Sequence, residues 1–86
     1  MPEICRFYGL VIRMYLREHG SPHFHVQYAE RRAVFAIEPL ELLRGELPPR
    51  ARRLVVEWGQ QHQKELLDDW ELASEHEPLR KIAPLE

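Results

Sequence analysis

A chain of 86 residues has room for one domain around one hydrophobic core, so residues 1–86 are read as a single domain. With 44% hydrophobic and 30% charged residues, the composition excludes extended disorder, and the lone Cys5 excludes an intrachain disulfide or a thiolate metal cluster. The net charge of −2 hides a split: residues 1–37 carry five arginines against three acids, and the remainder carries an acidic surplus.

The N-terminal "MPEICRFYG" contains Glu3 and no long apolar run, so it is not read as a signal peptide. No apolar segment is long enough for a membrane span, and a reduced cytoplasmic location is expected.

From Gly9 to Arg17, Leu10, Ile12, Met14 and Leu16 alternate with Val11, Arg13, Tyr15 and Arg17. Side chains on a strand point to opposite faces in turn, so residues 9–17 are predicted to form a half-buried strand. "EHGSP" supplies turn residues, and "HFHVQY" resumes the alternation over 23–29. Phe24, Val26 and Tyr28 take the inner face; His23, His25 and Gln27 take the outer, wet one. "AERR" reads as a turn and 32–38 as a third strand closed by Pro39, with "LELL" over 40–44 as an optional fourth.

Pro48 and Pro49 suit the first turn of a helix. Ala51, Leu54, Val55, Trp58, His62, Leu66, Trp70 and Ala73 then recur at intervals of three and four over about seven turns. Gly59 is the expected weak point, so residues 48–75 form one kinked helix or two helices parting between Gly59 and Lys64. Residues 76–86, with Pro78 and Pro84, form an irregular tail whose Leu79, Ile82 and Leu85 dock on the body or on a partner. The fold class is α+β: an antiparallel sheet of three or four strands followed by C-terminal helices. Its core is expected from Leu10, Ile12, Met14, Phe24, Val26, Phe35, Ile37, Leu54, Val55 and Trp58.

Pairing the first two predicted strands merges their outer faces. Arg13, Tyr15, Arg17, His23, His25 and Gln27 then share a surface with His19 at its rim. Cationic and aromatic side chains on an open sheet are what RNA-binding sheets use to hold phosphates and stack bases. Polar side chains are also what any solvated sheet face requires. Three chemistries suit the surface. As a binding face it would use Arg13, Tyr15, Arg17, His19 and Gln27. As a metal-independent ribonuclease it would use His23 or His25 for proton transfer to or from a ribose hydroxyl, with no cofactor. As a metal site it would use His23, His25 and His19, with Glu18 adding an oxygen, to hold zinc or nickel. The helix offers a fourth reading. Leu66, Leu67 and Trp70 spread over more than one stripe, more than a small sheet covers, and suit a homodimer or a second protein.

The segments "PEICRFYGLVIRMY", "EHGSPHFHV", "EWGQQHQKELLDDWELA" and "IAPLE" together resemble the bacterial family catalogued as domain of unknown function 4160. The resemblance covers nearly the whole chain and implies no catalytic residues. It implies a partner: members are often encoded beside another small protein, in pairs labelled as suspected toxin–antitoxin components. "HGSPHFH", then a strand, "ELLRGEL" and a helix also resembles the HicA-type ribonuclease toxins, although Pro22 interrupts the motif and the leading helix is missing. The leading expectation is therefore a protein-interaction component of a two-gene toxin–antitoxin-like module, with RNA binding or cleavage as the alternative.

Overall fold

The computed structural model describes residues 2–16 and 18–86. Five strands, β1 (Glu3–Phe7), β2 (Leu10–Arg13), β3 (His23–Tyr28), β4 (Arg31–Ile37) and β5 (Leu40–Gly45), precede two helices, α1 (Pro49–Gln61) and α2 (Gln63–Ser74). Each strand pairs antiparallel with the next, giving the meander order β1-β2-β3-β4-β5.

The α+β class stands, and the sheet has one strand more than the sequence predicts. β1 escapes the alternation rule because its register shifts between Glu3 and Cys5, so that Ile4 and Cys5 are both buried. The second strand is shorter than expected and ends at Arg13, although Met14 still donates its amide to the Pro2 carbonyl at 3.2 Å. The "AERR" turn is tighter than expected. It bends at Ala29, whose φ is 53°, and both arginines belong to β4.

One face of the sheet carries Leu10, Ile12, Phe24, Val26, Phe35 and Ile37, all at most 2% exposed. Helix α1 covers it with Ala51, Val55 and Trp58. Phe24 and Phe35 stack with ring centroids 5.7 Å apart, and the Trp58 indole meets Phe7 at 5.5 Å and Phe24 at 5.9 Å. Of the expected core only Leu54 is less than buried.

The helices part at His62, inside the expected window. Gly59, expected to weaken the helix, lies within α1 and answers to packing. A β-carbon there would sit 2.8 Å from a methyl of Leu40, so its absence lets β5 approach the helix. The tail docks on the body. Ile82 donates its amide to Ile4 at 2.9 Å, the Trp58 indole donates to the Ala83 carbonyl at 2.8 Å, and Ile82 and Leu85 are buried. Arg80 donates its amide to the buried Asp69 carboxylate at 2.9 Å, tying the tail to α2. Among the described residues no helix is long and apolar enough to cross a membrane.

Candidate functional site: a basic groove on the open sheet face

Strand register brings the outward side chains into rows. Arg13 pairs with His25, His25 with Val34, and Val34 with Arg44, so a single row crosses four strands. At about 4.8 Å per strand, Arg13 and Arg44 stand about 14 Å apart along the backbone row. A second row sets Val11 opposite Gln27 and Gln27 opposite Arg32. Arg44 reaches its place through a bulge. Phe35 pairs with Leu42, and the register shift that follows lets Val34 face Arg44, leaving Leu43 between them.

These rows line a groove of about 470 Å³, bordered by Arg13, Tyr15, His25, Gln27, Arg32 and Arg44 with Val34 at its floor. Among the described residues, three guanidinium groups border it and no carboxylate does. Among the described residues, Arg13, Arg32 and Arg44 form no ion pair; Arg13 donates to the Gln27 side-chain carbonyl at 2.7 Å. Guanidinium groups in this state are free to form paired, charge-assisted hydrogen bonds to phosphate oxygens. Tyr15 packs on the His25 ring at a centroid distance of 4.3 Å, so the groove carries an aromatic wall at one end.

Behind that wall lies a second cluster. Strand alternation places His23 and His25 on the same face, as expected, but it does not leave both wet. His23 is 8% exposed, because Trp70 of α2 lies against its ring at 4.9 Å and Glu18 approaches its free edge. His23 is absent from the groove lining, so the expectation of two open histidines is corrected to one, His25. The His23 Nδ1–H donates to the Ser21 carbonyl at 2.8 Å, while its Nε2 is buried, lies 3.3 Å from Glu18 Oε2 and makes no hydrogen bond. His25 Nε2 pairs with the other carboxylate oxygen of Glu18. Burial raises the Glu18 carboxyl, and the imidazoles of His25 and His23 more than reverse this, leaving it below the usual range.

The remaining expected site residues divide as follows. Arg13, Tyr15 and Gln27 line the groove. His19 is exposed and stands outside the cluster, which holds Glu18 with His23 and His25. Arg17 lies outside the described residues. Leu66, expected on a partner surface, is instead wholly buried in the core, and Leu67 and Trp70 pack partly buried against that core. Sequence reasoning missed Arg32, placed at the boundary of the "AERR" turn and the third strand, and Arg44, whose facing depends on the bulge. The signal available for Arg32 was its even spacing from Val34 on one strand. Cys5 is a packed core residue, and burial pushes its thiol up.

The family model described as domain of unknown function (DUF4160) matches residues 9–71, which include both rows of the groove, Glu18 and both histidines of the cluster. No curated protein and no solved structure matches the chain.

Proposed function

The chain belongs to the DUF4160 family, and on that footing we propose that its open sheet face binds the sugar–phosphate backbone of single-stranded RNA. The observation that carries the reading is the groove's makeup: three arginines from three strands, with no carboxylate along the lining. Arg13, Arg32 and Arg44 pair with phosphates, while Tyr15 and His25 offer ring faces for a base. The chain's negative net charge does not oppose this, because no acid lines the groove, Glu18 at its end is paired with His25, and the interaction is short-ranged at physiological salt.

Binding is favoured over cleavage by a histidine pair, since His23 is buried behind the groove and only His25 borders it. It is favoured over a partner-protein role for α2, since Leu66 is spent on the core and Trp70 on His23. An RNA-binding member is compatible with the toxin–antitoxin-like pairing that the family resemblance implies.

Fluorescence anisotropy with labelled single-stranded RNA tests the reading. Three phosphate contacts predict a slope of about −2 in log K against log salt concentration. The Arg32→Ala/Arg44→Ala double variant should flatten the slope to about −0.7. Absence of binding at low salt, or binding unchanged in that variant, would reject it. Tighter binding to single-stranded DNA than to RNA would reassign the ligand.

A further inference from the structure

We propose that Glu18, His23 and His25 form a binding site for one zinc ion, at the end of the groove but built from different side chains. Each of the three offers one ligand atom, a ring nitrogen or a carboxylate oxygen, within 4.8 Å of the others, and the Nε2 atoms of both histidines face the Glu18 carboxylate. In tetrahedral zinc sites, metal–ligand bonds of about 2.0–2.1 Å place neighbouring ligand atoms about 3.3–3.4 Å apart. Glu18 Oε2 and His23 Nε2 are 3.3 Å apart.

The geometry at His23 suits a bound cation: its Nε2 is buried 3.3 Å from Glu18 Oε2 without the alignment of a hydrogen bond. Its Nδ1 faces the Ser21 carbonyl, which can only accept, so Nδ1 carries a proton. In the neutral ring Nε2 is then a bare lone pair, buried and without a hydrogen-bond partner, aimed at the cluster. An unsatisfied buried acceptor beside a carboxylate is a costly arrangement, which a proton on Nε2 or a metal ion between the two relieves, and zinc titration distinguishes them. A carbonyl oxygen on the far nitrogen is also the usual outer partner that fixes the tautomer and orientation of a metal-bound histidine.

Both rings are held by their surroundings as well. Trp70 lies against His23 and Tyr15 against His25, and the two histidines sit two residues apart on one face of β3. Two imidazole nitrogens and one carboxylate oxygen suit zinc, whereas magnesium and calcium favour oxygen ligands throughout. Three protein ligands leave a fourth position for water or an anionic oxygen on the groove side, where His25 borders the opening. The site stands whether or not the groove binds RNA.

The test is titration of metal-free full-length protein with zinc chloride, by calorimetry and by competition with a chromophoric chelator. One equivalent should bind, and magnesium chloride should give no heat. His25→Ala and Glu18→Ala should each weaken zinc by more than the roughly 10–100-fold lost when only a ligand's outer partner is removed. His19→Ala and His76→Ala should bind zinc as the parent does. Because a ligand variant can lose affinity by misfolding, a second readout uses the parent protein alone. Cobalt(II) should give visible absorption bands of a low-symmetry nitrogen–oxygen site, and one equivalent of zinc should abolish them. Arg32→Ala/Arg44→Ala should weaken RNA binding and keep zinc, which separates failure of this site from failure of the groove. No stoichiometric zinc, or zinc that survives His25→Ala and Glu18→Ala, would overturn the proposal.

Discussion

The imidazole of His23 lies 4.9 Å from the indole of Trp70, ring centroid to ring centroid. A residue that strand alternation sends to the wet face and a residue expected on a partner surface thus cover one another. Two consequences follow for α2. Trp70→Ala should uncover His23 and lower stability by about 2–3 kcal/mol, less than a fully buried tryptophan costs. Leu66→Ala, at a site wholly buried in the core, should cost about 2–5 kcal/mol. Urea unfolding of dilute monomer measures both. If Leu66 instead served a partner surface, its loss would leave monomer stability unchanged.

Gly45 closes β5 at a φ of 81°, and a β-carbon there would lie 2.1 Å from the Arg32 carbonyl oxygen. Gly45→Ala should therefore destabilise by at least about 1–3 kcal/mol. Because it displaces the backbone between Arg32 and Arg44, it should also weaken RNA binding at temperatures where the variant remains folded. Denaturant unfolding and anisotropy on one sample test the two effects together.

Asp69 sets the expected acid response of the tail. It is 1% exposed and its Oδ2 has no hydrogen-bond partner, so burial raises its carboxyl pKa, although the Arg80 amide partly opposes this. A group whose folded pKa is raised binds its proton more tightly in the folded state. Its favourable contribution is complete below the unfolded pKa and is lost as pH rises through the folded value. Asp69→Asn keeps an oxygen for the Arg80 amide and removes the charge. It should be more stable than the parent at pH 7, with the difference vanishing at pH values below the ordinary aspartate range. Thermal melts across that range check the sign; a difference that grew on acidification would refute it.

Period-two alternation correctly assigned the inner face from Leu10 to Met14, Phe24 to Val26 and Phe35 to Ile37, since burying one side is a local property of a strand. It offered no assignment where a bulge interrupts the period, at Ile4–Cys5 in β1 and before Arg44 in β5. It also says which face a side chain takes and nothing about what crosses that face. The cover over His23 comes from Trp70, 47 positions further along the chain, on the helix that begins after the break at His62. For the same reason Arg13, Tyr15 and Gln27 could be assigned to one surface in advance, while Arg32 and Arg44 required the register.

The claim on which the functional reading rests is that ligand sits on the sheet face opposite α1. Titrating isotope-labelled protein with single-stranded RNA and following amide and arginine side-chain NMR signals measures this directly. The account predicts the largest shifts at Arg13, His25, Gln27, Arg32 and Arg44. Shifts confined to Arg50, Arg52 and Arg53, exposed residues in the first turns of α1, with those five unmoved, would contradict it.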